Sequence, residues 1–144
     1  MYGQSVKSVL DKRKLVTASP ETSVSEAAKL MARRKVSAVM VVEERRLVGI
    51  FTERDAVFRV VARDLDPHAT RRAEVMTRDP KTVDPQTSFG YALLMMHENG
   101  FRHVPVVENH ELIGVVSARD ALDPDLEEFI VEAERRKQVM RERN

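Results

Sequence analysis

The 144-residue sequence contains no cysteine. Disulfides, thiolate-held zinc, iron–sulfur clusters and cysteine nucleophiles are therefore excluded. Long apolar runs are also missing. Runs such as Ala38 to Val42 are far short of the roughly 20 residues that span a bilayer. Met1 to Leu10 carries Lys7 and lacks the apolar stretch of a secretory leader, so the expected location is the cytoplasm, away from membranes. Charge of neither sign dominates: 24 Lys and Arg stand against 23 Asp and Glu, a net charge of +1. Nucleic-acid binding normally needs a basic excess on one face, so this balance argues against a dedicated nucleic-acid protein. No glycine-rich phosphate loop, hydrolase nucleophile elbow or paired-carboxylate motif is present. His68, His97, His103 and His110 lack the paired spacing of a helix-borne metal site. A non-enzyme with no metal and no obligatory cofactor is expected.

What the sequence does contain is a repeat. Shifted by 65 residues, Thr17 to Val57 lies over Thr82 to Leu122 without a gap, with about fifteen of roughly forty positions identical. Val24, Ala27, Ala28 and Met31 form a helical stripe at i, i+3, i+4 and i+7, and Phe89, Ala92, Leu93 and Met96 repeat it. Ser23 and Glu26 make a capping-box pattern; Ser88 with Tyr91 predicts a simpler cap. Apolar runs at Ala38 to Val42 and His103 to Val107 read as strands buried on both faces. Three-residue polar turns at 44–46 and 109–111 lead to second strands, Leu47 to Phe51 and Leu112 to Val116. Further helices are predicted to begin near Glu53 and Ala118.

The fold class is therefore α/β (α+β): two β-α-β-β-α units packed sheet to sheet, plus a C-terminal helix. The expected boundaries are 1–66, 67–122 and 123–144, with a polar linker from Asp64 to Arg72. A unit of this size buries too little surface to stand comfortably alone. For the C-terminal helix, Asp123 suits the cap and Pro124 the first position. Leu126, Phe129, Ile130 and Ala133 form its apolar stripe. Acidic residues fill its first half and basic residues its end.

Two segments carry chemistry: Gly49-Ile50-Phe51-Thr52-Glu53-Arg54-Asp55 and Gly114-Val115-Val116-Ser117-Ala118-Arg119-Asp120. Each reads glycine, two apolar residues, a hydroxyl residue, any residue, arginine, aspartate. The hydroxyl sits at a strand-to-helix turn, where it can cap the helix or face an anion. The Asp, a turn later, can favour the positive helix end or accept hydrogen bonds from a ribose diol.

These segments resemble the signature of cystathionine β-synthase (CBS) domains, which occur in pairs called Bateman modules. The resemblance covers about Ser5 to Leu122. It implies a pseudo-twofold pair of units with two clefts that bind AMP, ADP, ATP, S-adenosylmethionine or related ligands. By this resemblance Asp55 and Asp120 hold ribose hydroxyls, and Thr52 and Ser117 sit at the ribose–phosphate end, each with its neighbouring Arg54 or Arg119. Thr17 and Thr82 lie near the ligand, and the strands carrying Val39, Val41, Val104 and Pro105 flank the adenine. Arg102 and His103 are candidate phosphate ligands. The first unit has Ser37 and Ala38 there, so the second site is expected to favour phosphate, with affinity rising as pH falls through about 6.5 if His103 contributes its charged form. Because the clefts of such a module face one another, the alternative is that a basic residue of one unit serves the neighbouring site.

The expected function is a non-catalytic sensor of adenine nucleotides or S-adenosylmethionine. A homodimer is expected, built on the helices after the signatures, with output to a separate regulated protein. The alternatives are an interaction module without tight ligand binding, and a nucleic-acid-binding regulator using clusters such as Arg135-Arg136-Lys137.

Overall fold

The computed structural model describes residues 2–121 and 124–143, and of the last helix the side chains of 131–142. The chain opens with helix α1 (Val6–Val9) and a 3-10 turn at Lys12–Lys14. The first repeat follows as β1 (Thr17–Ala18), α2 (Val24–Arg34), β2 (Ala38–Glu43), β3 (Arg46–Thr52) and α3 (Glu53–Asp55). Past Asp55 the helix widens into a π-type stretch, Ala56–Val61, where Ala62 N donates to Val57 O at 2.8 Å. The linker holds α4 (Arg72–Val75) and β4 (Thr77–Arg78); the second repeat is α5 (Phe89–Asn99), β5 (His103–Glu108) and β6 (Glu111–Ser117). A 3-10 turn at Ala118–Asp120 and helix α6 (Pro124–Arg143) complete the described elements.

Local chemistry sets these boundaries. Ser23 Oγ accepts from Glu26 N, and Ser88 Oγ from Tyr91 N, both at 3.2 Å. The two helices end at left-handed residues, Lys35 (φ 56°) and Gly100 (φ 73°). Each hairpin turns on two residues with positive φ, Glu44-Arg45 and Asn109-His110, one residue shorter than expected. Two such residues give a turn whose twist matches that of the flanking strands. The predicted helix near Ala118 is one 3-10 turn. Asp123 and the side chains of Leu126, Phe129 and Ile130 lie outside the described residues.

The first sheet runs β1-β2-β3-β4, with β1 parallel to β2 and the other pairs antiparallel. The second contains β5 and β6, and Val83 bridges to Val106 in the place β1 takes in the first. Alternation along the strands makes three cores. Val39, Val41 and Phe51 pack under α2; Val104, Val106 and Val116 pack under α5. Between the sheets lie Ala38, Met40, Ile50 and Val115.

The segment ahead of each repeat packs on the other repeat. Val6 joins the core of the second repeat, and Val6 N donates to Thr87 O at 2.7 Å. Val75 and Met76 join the core of the first, and Arg72 N donates to Thr22 O at 3.1 Å. Arg72, expected in a polar linker, is fully buried. Its Nη2 donates to Ser19 O, while Nε and Nη1 have no partner among the described residues. Burial holds its pKa below the usual arginine range, against the pull of Glu26.

These arms press on the strand glycines. A Cβ on Gly49 would run into Met76 Sδ and lie 2.9 Å from the Thr77 carbonyl oxygen; on Gly114 its three nearest neighbours would be Leu10 side-chain atoms, the closest at 2.8 Å. A backbone carbonyl cannot step aside as a leucine methyl can. Gly49→Ala is therefore expected to cost about 1–3 kcal/mol, and Gly114→Ala less. Urea unfolding midpoints measure both; a Gly49→Ala protein as stable as wild type contradicts the packing described.

Candidate functional site

Each signature begins where a buried strand ends. In the first, Thr52 N and Oγ1 donate to Asp55 Oδ2 at 2.8 and 3.1 Å, and Asp55 N donates back to Thr52 Oγ1 at 3.3 Å. In the second, Ser117 N donates to Asp120 Oδ2 at 2.8 Å. Both aspartates therefore act as helix-start caps, and each uses one oxygen to do so. The other oxygens differ. Asp55 Oδ1 has Arg59 Nε at 3.5 Å, a long contact, because Arg59 Nη1 is held by the carbonyls of Val75 and Met76. Asp120 Oδ1 takes an ion pair from Lys14 Nζ, 106 residues away.

Two clefts open beside these carboxylates, and each is built from both repeats. The first, about 760 Å³, places Thr52 and Asp55 opposite Lys81, Arg102 and His103, with Ile50 on an apolar wall. The second, about 470 Å³, places Ser117 and Asp120 opposite Lys14, Lys35 and Ser37, with Val36, Ala38, Val115 and Ala121 as its apolar residues. The first falls well within the ordinary size range of small-molecule sites, about 300–1,000 Å³. Four cationic side chains line it (Arg54, Arg59, Lys81 and Arg102) against three carboxylates. Arg54 is tethered, with its guanidinium 5.6 Å from the Phe58 ring centre and Nη1 donating to Gly100 O at 3.5 Å. Lys81 Nζ donates to Asn99 Oδ1 at 2.9 Å. Arg102 O accepts from Ala118 N at 2.9 Å, while its exposed side chain has no hydrogen bond or ion pair among the described residues.

The grouping expected from sequence changes accordingly. Arg102 faces Asp55 rather than Asp120, because each cleft combines the signature of one repeat with the strand start of the other. His103 borders both clefts; Arg54 lines the first and Arg119 the second. Val39, Val41, Val104 and Pro105 are fully buried and line neither. The pleat turns Val39, Val41 and Val104 toward the helices, so Ile50, Ala38 and Val115 take the apolar role instead. Thr17 and Thr82 are exposed and also line neither cleft. Lys14, Lys35 and Lys81 escaped the sequence reading. Their signal was position: each stands within three residues of a segment already singled out. Among the described residues no group of histidines and carboxylates could hold a metal ion, and no helix is long and apolar enough to cross a membrane.

Paired α/β units with sheets packed face to face and two crossed clefts define a ligand-cleft module of internal twofold pattern. The CBS domain family model matches residues 6–62 and 73–126, and the chain belongs to this family as a tandem CBS pair, a regulatory module. A 17.7 kDa uncharacterized protein of Acidianus ambivalens is 38% identical over 109 residues, covering 74% of this chain and 65% of that protein. The chain spans less than two thirds of the length of such curated relatives. A CBS-domain protein from Burkholderia ambifaria is similar in structure, with TM-score 0.77 and 34% identity over 81% of this chain and 90% of that one. A CBS domain protein from Pyrobaculum aerophilum complexed with AMP has TM-score 0.76 and 26% identity, covering 89% of this chain and 98% of that one.

At the junction of the clefts, His103 Nε2 lies 2.8 Å from Ser37 Oγ. Burial pushes the imidazole below its ordinary pKa; Glu53 and Asp120 pull upward, and Arg102 adds to the depression. Burial thus favours the neutral imidazole, a hydrogen-bonding group beside Ser37. A depressed folded-state pKa means stability that is fully present above about pH 6.5 and lost as pH falls toward the folded value. Wild type is expected to lose more stability between pH 7.5 and pH 5 than His103→Gln does. Urea titrations at the two pH values measure this; parallel losses would exclude the buried histidine as the source.

Proposed function

We propose that this CBS pair senses an adenine nucleotide, bound chiefly in the first cleft. One observation carries the reading. Asp55 has one oxygen met only by the long 3.5 Å contact of Arg59 on one wall, while the Arg102 side chain on the other has no partner among the described residues. A carboxylate is a fit acceptor for a ribose diol, and a guanidinium is a fit donor to phosphate. The AMP complex of the Pyrobaculum aerophilum protein supports the same reading. In the second cleft Lys14 holds Asp120, so a nucleoside there must displace an ion pair, and binding is weaker. Output passes to a separate protein or through a homodimer formed on the exposed Val57, Phe58 and Val61 side of the Ala56–Val61 stretch.

Calorimetric titration with AMP and adenosine tests this. Asp55→Ala is expected to weaken AMP binding by about 1.5–3 kcal/mol, the scale for hydrogen bonds to a charged group. Arg102→Ala is expected to erase the preference for AMP over adenosine while keeping adenosine affinity. No heat with AMP, ADP, ATP or S-adenosylmethionine would leave the module as an interaction domain. For assembly, Val61→Asp is expected to lower the light-scattering mass; an unchanged mass removes that surface.

A further inference from the structure

Helix α6 offers a surface unrelated to the clefts. From Val131 to Glu142 every side chain except Ala133 is exposed. Val131 and Met140 are each 66% exposed and Val139 is 44% exposed, so these apolar side chains stand uncovered on the single chain. Charge along the helix is sorted. Asp125 to Glu134 holds five carboxylates and no cation; Arg135 to Arg143 holds five cations and one carboxylate. The macrodipole favours this order only in the first and last turns. Here the sign changes between Glu134 and Arg135, in the middle of the helix. One intrahelical pair, Glu132 with Arg136 at 3.3 Å, draws on it, and that pair is exposed.

We propose that α6 pairs antiparallel with α6 of a second copy of this chain. Antiparallel pairing sets the acidic half of each helix against the basic half of the other. Parallel pairing would set like charge on like. Val131, Arg135 and Val139 recur at i, i+4 and i+8, which places them along one side of the helix. A pairing centred on Arg135 brings Val131 opposite Val139 of the second copy and Glu134 opposite Arg136 of the second copy; the two Arg135 side chains meet at the axis, where their length lets the charged ends turn out to solvent and to the neighbouring carboxylates. The contact is twofold and self-complementary, so it closes on a pair. It does not depend on nucleotide binding, and the test reads association without nucleotide.

The chain has no cysteine, so single introduced thiols report without background. Val131→Cys and Val139→Cys proteins are oxidised mildly, alone and mixed, at full chain length. The mixture is expected to form a disulfide-linked dimer of one chain of each kind, and neither protein alone. In the antiparallel pair identical positions stand about 12 Å apart along the axis, too far for a disulfide. Self-linking of Val131→Cys to the same extent as the mixture, or no linking anywhere, overturns the proposal. In a second arm, Arg136→Glu with Lys137→Glu, and Glu132→Lys with Glu134→Lys, are each expected to lower the sedimentation mass alone and to regain it when mixed. Unchanged mass in both overturns the proposal equally. The thiol pair leaves the helix charges intact, so it decides the matter whatever the charge variants do to helicity.

Discussion

The contact on which the rest of the molecule depends is the apolar seal between the two sheets. Ala38, Met40, Ile50 and Val115 meet there, flanked by Leu15, Val42, Leu47 and Leu112. Strands with a helix on one face and another sheet on the other must be apolar on both, which is why β2 and β5 read as unbroken apolar runs. The clefts lie where this seal ends. Ile50 belongs both to the seal and to the wall of the first cleft, and Ala38 and Val115 to the seal and the second. A change that loosens the seal would therefore move the cleft walls.

Much of this was legible in the order of residues. Helical stripes, serine caps and the doubled signature located the main elements to within a residue or two. What was not legible was set by contacts far apart in the chain. Alternation shows that Val39 and Val41 share a face, but nothing local says whether that face meets helix or cleft. Lys14 and Asp120 are separated by 106 residues, and only the folded chain joins them. Arg102 was recognised by type and position, but which of the two carboxylates it faces stayed open, because the crossing of the repeats is a tertiary fact. Arg72 looked like a linker charge and is buried, since α4 supplies part of the first core.

The two clefts share a backbone and differ in charge. In the second, Lys14 closes on Asp120; in the first, Arg59 reaches Asp55 only at 3.5 Å and the Arg102 side chain has no partner among the described residues. Duplication made the scaffold, and single side chains at the strand starts made the halves unequal. A module with equal halves reports ligand concentration once, whereas unequal halves respond over two ranges. His103, touching both clefts and Ser37, is where occupancy of one would be felt by the other.

The traded arms bear on how such a chain could arise. A lone repeat of this design has its covering segment reaching outward, so its own core stays open until another repeat supplies the missing piece. Two unlinked repeats would have to swap arms on meeting, and their folding would vary with dilution. Joining them through residues 64–70 makes that meeting intramolecular, at an effective concentration of about millimolar or more. The short linker thus turns a bimolecular assembly into one that folds at any dilution.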